Sequence, residues 1–418
     1  MMETTTAVRV FRNADGELCL PVSEWQTEHH PSCNSVHEVA SAPNEWVFVN
    51  RGGASYVMRV ENSETTSTDF VLKGQLYKRD FGSSQLKKRM IEARVQEHFT
   101  ASKFVTSIYG QCGYSFLAPF SPGGSLFDYI VSMKYHGEPK LSAVDKLKIA
   151  IHLASGVAAI HELDNTRPNA THTSAYAHND LDTNQFIFHE GIFTLTDFNY
   201  GKQMLKRLSD GSIDACFQLP GMHPYVFRSP EDLGYTYADY IRQDDEESLS
   251  GNKTLNKELK AVAKGKDKPF DYSQSDVYNM GHALHSLWTL QWMWNHSDKY
   301  ASLVKALKGE RPPLNVEAVM AKSNAAGTTA AISTDKSRKA HNVIAKAIEM
   351  CWTHDPKERP TAQQVRVYLR QQLAEILGFE NGKDVSLQHL RLDLPKPVKR
   401  NDKHGEHADE DFNNFLRL

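Results

Sequence analysis

Two aspartates, Asp180 in AHNDLDTNQFIF and Asp197 in GIFTLTDFNYGK, stand close together in the chain, each beside strand-like apolar residues. Such a pair can set one carboxylate beside a nucleophilic hydroxyl as a general base and the other on a metal ion. An H-x-D and a D-F also arise by chance, so the surrounding elements must decide. A second group, His29, His30, Cys33 and His37 in HHPSCNSVH, carries donor types that zinc accepts, although histidines in a polar loop usually have no ligand. The cysteines (Cys19, Cys33, Cys112, Cys216 and Cys351) are odd in number, far apart and without a C-x-x-C pair. That spacing argues against a zinc ribbon or a thioredoxin-type redox motif. Scattered thiols fit a reducing, intracellular setting, with the cytoplasm expected.

The elements around the aspartates change character along the chain. Residues 1–45 are polar with little periodicity. From Trp46, the runs WVFV, YVMRV and DFVLKGQLY read as antiparallel strands joined by turns, the first at Gly52-Gly53. SSQLKKRMIEARVQEHF then places Leu86, Met90, Ile91, Val95 and Phe99 at helical spacing. Two short strand candidates, FVTSIYGQCG and YSFLAPF, precede the turn SPGG. Beyond it, DKLKIAIHLASGVAAIHEL reads as a long amphipathic helix, with further helices near 277–294, 300–307, 341–351 and 361–377. Residues 163–177, 235–272 and 321–340 read as surface insertions. The second of these joins an acidic block to a basic one, which could pair with each other or hold a protein partner, although a solvated loop is the simpler reading. The whole chain has 48 Lys+Arg against 51 Asp+Glu, a net charge of −3, which argues against a protein built to coat nucleic acid. The uncharged run Val277–Ser297 is broken by polar residues and reads as a buried helix, so no membrane span is expected.

Taken in order, six stretches resemble a protein kinase: PGGSLFDYI after a hinge, HNDLDTNQ as a catalytic loop, DFN, FRSPED, SDVYNMG and CWTHDPKERPT. The pattern is similar to divergent kinase-like proteins of diatoms and related algae, in the tyrosine-kinase-like group. The resemblance implies an α+β, bilobal fold over residues 46–377. A small antiparallel β lobe with one helix (46–120) would precede a larger, mainly helical lobe (121–377), and 378–418 would form a charged tail. It also implies ATP and Mg2+ as ligands, with Lys73 on the α- and β-phosphates and Glu92 paired to it. Glu97 and Asp80 are alternatives for the pairing carboxylate. Asp180 takes the catalytic-base position and Asp197 the magnesium position. Around the nucleotide the resemblance places Gly52, Gly53, Ser55, Val57, Val71, Ala118, Pro119 and Ser121. Here Ala118 is the gatekeeper, Pro119 offers adenine its carbonyl, and Ser121 offers its backbone N–H. Glu231 with Arg359, and Asp276 behind the catalytic loop, are expected as structural supports.

Several positions depart from the family pattern. Asn50, Gly52 and Ser55 stand where three glycines would cradle phosphate, so only the middle one is kept. Asn179 replaces an arginine, and Asp182 replaces a lysine that meets the γ-phosphate, which reverses the local field unless a metal or Lys202 offsets it. Gln185 stands where an asparagine would hold a second magnesium, with Asn184 as the alternative. Asn199 replaces a glycine and tolerates unusual backbone angles. The expected activity is γ-phosphoryl transfer to a protein hydroxyl, with serine or threonine favoured over tyrosine. The alternatives are a pseudokinase that binds nucleotide or scaffolds partners, and, more remotely, a small-molecule phosphotransferase.

Overall fold

The computed structural model describes residues 11–12, 18–21, 33–34, 36–37, 45–51, 55–61, 69–76, 81–161, 174, 176–209, 213–214, 229–232, 271–291, 305–306, 308–325, 334–379 and 385–398. Short strands β1 (Phe11–Arg12) and β2 (Leu18–Pro21) come first. Strands β3 (Glu45–Arg51), β4 (Ser55–Glu61) and β5 (Phe70–Gln75) lead to helix α1 (Ser83–His98), then β6 (Gly110–Cys112) and β7 (Ser115–Pro119). These five strands form one antiparallel sheet in the order β3-β4-β5-β7-β6. The alternating apolar runs that predict strands therefore become strands, with a register irregularity between Phe48 and Asn50 in the edge strand.

The rest is mostly helical, built on α2 (Leu126–His136), α3 (Ala143–His161), α4 (Tyr272–Thr289), α5 (Val316–Ala325), α6 (Thr334–Cys351) and α7 (Ala362–Leu377). Capping boxes start α2 (Ser125 with Asp128) and α7 (Thr361 with Gln364), and left-handed Gly137 and Gly378 end them. Helix α3 is not the one-faced amphipathic helix its sequence suggests. It is buried on nearly every side, including Lys146. That lysine donates to the Trp288 carbonyl at 3.2 Å, and burial pushes its pKa down to about 8. Between α3 and α4 lie β8 (Tyr176–Ala177), the hairpin β9 (Phe186–His189) and β10 (Ile192–Leu195), then β11 (Lys202–Gln203), β12 (Leu205–Arg207) and β13 (Ile213–Asp214). Among the described residues, no helix is long and apolar enough to cross a membrane. The apolar run from Val277 lies in α4, whose residues are buried in the core.

Both ends of the chain differ from their expected character. β2 pairs antiparallel with β12, Cys19 opposite Arg207 and Leu20 opposite Lys206. Strands this short pair through the backbone and leave no periodic signature in the side chains. At the other end, 385–398 is not a loose charged tail. Val385, Leu390 and Leu392 are buried in the helical core, and α8 (Leu387–Leu390) lies in this stretch. Leu392 N–H donates to the Gly191 carbonyl at 2.9 Å, and Val398 N–H donates to Ser132 Oγ at 3.0 Å. The packed unit thus extends past residue 377. Of the three expected insertions, 163–173 and 235–270 lie outside the described residues. The third, 321–340, is in part helical, divided between α5 and α6. The cysteines also depart from expectation: Cys33 and Cys112 are disulfide-bonded, as is Cys19, and Cys351 is a buried free thiol.

Candidate active site

Alternation along β5 puts Val71 and Lys73 on one face of the sheet. Cross-strand register adds Val57 of β4 opposite Lys73, and Phe116 and Ala118 of β7 opposite Lys73 and Val71. Directly opposed residues share a face, so the residues expected around adenine line up beside the lysine. Val71 packs on the small cluster that contains Ala118 and Phe116, and the Lys73 ammonium lies over the Phe116 ring at 5.4 Å. Helix α1 then brings Glu92, fully buried, to 3.0 Å from Lys73 Nζ. Of the competing carboxylates, Glu97 is exposed on the same helix and does not serve; Asp80 lies outside the described residues. Lys73 also contacts the Asp197 carboxylate. Burial opposes the ammonium, yet Asp197 and then Glu92 outweigh it, and the Lys73 pKa rises. Burial likewise opposes Asp197 ionisation, but Lys73 wins and the carboxyl stays below its usual range.

Arg89, one helical turn before Glu92, was not singled out by its sequence context. It is buried, donates to Glu92 at 2.8 Å and also donates to Ser55 Oγ. The i,i+3 spacing with Glu92 was a readable signal, but burial makes the pair matter and no local pattern announces that. Ser55 is therefore engaged by α1 through its hydroxyl. Gly52 and Gly53 lie outside the described residues. Pro119 and Ser121 follow at the end of β7, where Phe120 N–H donates to the Asp69 carbonyl at 2.9 Å and anchors the strand exit.

The second half of the site is built on the β9–β10 hairpin, which carries Asp180 on the loop before it and Asp197 just after it. The Thr196 N–H to Gln185 carbonyl bond, 2.8 Å, closes the open end of the hairpin. Behind the loop, fully buried Asp276 of α4 accepts from the backbone N–H groups of His178 (2.6 Å) and Asn179 (2.8 Å), and its Oδ2 lies 3.0 Å from His161 Nε2. This is the support expected of Asp276. The expected Glu231–Arg359 pair forms as well, at 2.6 Å and 3.2 Å.

The replacements acquire local explanations. Asn179 has φ 60°, a left-handed backbone that asparagine tolerates, and its side-chain amide donates to the Tyr200 carbonyl at 3.3 Å. The unusual backbone after the hairpin belongs to Asp197, with φ 61°, whereas Asn199 sits in a 3-10 turn. Asp182 caps the preceding 3-10 turn by accepting from Asn184 N–H at 2.6 Å. Burial raises its pKa to about 6 against that hydrogen bond. Lys202, the candidate to offset Asp182, is buried with its ammonium over the Tyr272 ring. Gln185 directs its amide nitrogen to Asp180 at 3.4 Å.

The side chains thus brought together are Lys73, Glu92, Arg89 and Asp197 on one side, and Asp180 with Gln185 on the other. Phe198 links the halves: its ring packs against His178 and Tyr176, and Tyr176 OH donates to its carbonyl at 2.8 Å. Asp197 and Gln185 carry oxygen donors of the kind a hard cation such as magnesium accepts. No protein-family model matches the chain, and no curated protein sequence matches it.

Proposed function

We propose that this chain is a protein kinase of bilobal fold that transfers the γ-phosphoryl group of ATP to a serine or threonine hydroxyl of a protein. The observation that carries this reading is the position of Lys73, which meets Glu92 at 3.0 Å and also contacts Asp197. Such a lysine is oriented by one carboxylate and paired with a second, ready to meet phosphate oxygens. Val57, Val71 and Ala118 share its sheet face and form an apolar surface for a base, with the Pro119 carbonyl and Ser121 N–H at its edge. Ser55 stands at the phosphate end. Asp180 accepts the proton of the attacking hydroxyl as the new O–P bond forms and the bond from the γ-phosphorus to the β-phosphate oxygen breaks. Asp197, with Gln185, would hold magnesium, which when bound neutralises charge on the β- and γ-phosphates. The insertion at 235–272, with its two opposite-sign blocks, is the proposed protein-docking segment.

The test is transfer of labelled phosphate from Mg-ATP to a generic protein substrate, comparing wild type with Asp197→Asn. A loss of about 100-fold or more is expected in the variant, and equal transfer by both would overturn the enzyme reading. A pseudokinase is the second reading. It is favoured by the Asp182 carboxylate beside the proposed γ-phosphate position and by the commitment of the Ser55 hydroxyl to Arg89. A thermal shift with ATP, with and without magnesium, in the absence of any transfer would support it.

A further inference from the structure

We propose that Cys33, His37 and Cys112 form a zinc site that clips the N-terminal segment to the edge of the five-stranded sheet. One ligand atom from each of the three residues lies within 4.8 Å of the others. Cys33 and His37 stand four residues apart on one helical turn, closed by a His37 N–H to Cys33 carbonyl bond of 3.2 Å, so both side chains project from the same face. Cys112 ends β6, the sheet's last strand, where the chain turns into β7 through left-handed Gly113. Val36, on the same helical turn, is buried and seats the turn on the protein. The group differs from the expected His29, His30, Cys33 and His37. Cys112, remote in sequence, joins it, while His29 and His30 lie outside the described residues.

The placement of the imidazole is the informative feature. His37 Nε2 lies 3.3 Å from Cys33 Sγ and 3.5 Å from Cys112 Sγ, facing both sulfurs at once. With the disulfide closed, an imidazole N–H there can donate to a sulfur; with the cysteines reduced, the same nitrogen can offer its lone pair to a metal. In a tetrahedral zinc site, bonds of about 2.3 Å to sulfur and about 2.0 Å to nitrogen put each sulfur roughly 3.5 Å from the nitrogen. Both separations therefore match without movement of the ring, and only the two sulfurs must part, to roughly 3.8 Å.

The site has two states that exclude each other. A dithiol reductant gives two electrons and two protons to the Cys33–Cys112 bond, leaving two thiols and its own disulfide. Zinc then binds both sulfurs as thiolates and releases two protons, with His37 donating its Nε2 lone pair. Water fills the fourth position. The clip sits next to the entry of α1. In the same hairpin, the Tyr114 hydroxyl donates to the carbonyls of Phe81 and Gly82, just before the helix that carries Glu92. Zinc occupancy would thus steady the helix that presents Glu92 to Lys73.

The experiment uses the full chain, reduced with a phosphine, loaded with zinc, desalted, and assayed for metal by plasma mass spectrometry. Cobalt substitution supplies the thiolate charge-transfer and tetrahedral ligand-field absorption. One zinc per wild-type chain is expected, lost in Cys33→Ser and Cys112→Ser, with affinity at least 10-fold weaker in His37→Ala. His37 is exposed, so His37→Ala keeps the test valid if a cysteine variant fails to fold, as judged by circular dichroism. Undiminished zinc in Cys112→Ser, unchanged affinity in His37→Ala, or a reduced wild type that takes up no zinc would each overturn the proposal.

Discussion

Lys73 and Asp180 lie on the two sides of the candidate site, and the protein fixes them by different means. Around Lys73, side chains hold side chains: Glu92 and Asp197 share the ammonium, and Arg89 joins Glu92 to Ser55. Around Asp180, a side chain holds backbone: Asp276 grips the N–H groups of His178 and Asn179, directly ahead of Asp180. The first arrangement can rearrange by rotamer changes, because Lys73, Glu92 and Arg89 each have two partners. The second has no such freedom, since the amides cannot turn without breaking the loop. On the proposed reading, the difference would give adjustable positioning to the side of Lys73 and a fixed frame to the side of Asp180.

Asp276→Ala therefore carries the largest expected effect. Two buried backbone donors lose a charged acceptor, at about 1–3 kcal/mol each, for a total of about 4 kcal/mol. At about 2 °C per kcal/mol for a chain of this size, scanning calorimetry should show the Tm lower by about 8 °C. A fall smaller than that of Glu92→Gln would invert the comparison.

Glu92→Gln should cost less, about 2 kcal/mol in denaturant unfolding. That is below the roughly 3–5 kcal/mol typical of a broken buried pair, because Lys73 keeps Asp197 and Arg89 keeps Ser55. In the proposed kinase its effect on phosphoryl transfer should exceed its effect on folding, with a fall of more than about 30-fold. The pH window of this cluster follows from its shifts. The raised Lys73 pKa stabilises the fold below 10.5 and that gain is lost as pH rises through the higher folded value. The lowered Asp197 pKa stabilises above 3.8 and that gain is lost as pH falls through the lower folded value. Between those limits the cluster should be insensitive to pH.

The sheet and α1 were legible because strand alternation and helical spacing are local properties, whereas the pairing of Lys73 with Glu92, which joins two elements, was implied only by the resemblance. Buried Arg89 was not, since a Lys/Lys/Arg run on an amphipathic helix reads as a solvated face until tertiary packing covers it. The meeting of Cys33 with Cys112 was equally hidden, because it joins a short helical turn to a strand edge far along the chain. β2 and the stretch 385–398 escaped for a related reason. One pairs by backbone alone, and the other buries Val385, Leu390 and Leu392 at irregular spacing. Asn179 stands where the family pattern has an arginine, and its left-handed backbone gives a positive reason for the residue present.

Asp182 offers the smallest and most specific test, because it sits between the two regimes as a side chain that caps backbone yet carries a charge near Asp197. Burial raises its pKa from 3.8 to about 6. Between those values the folded state keeps a proton that the unfolded state has lost, so stability falls as pH rises through that interval and stays lower above it. The full shift corresponds to roughly 3 kcal/mol, and partial solvent contact reduces this to about 1 kcal/mol. Asp182→Asn keeps an oxygen to accept from Asn184 N–H and removes the charge. It should raise stability by about 1 kcal/mol at pH 7.5 and leave it unchanged near pH 3, flattening the stability profile between roughly pH 4 and 6. Chemical denaturation across that range would read the effect. An identical pH profile in the variant would mean that Asp182 is solvated and belongs to neither half of the site.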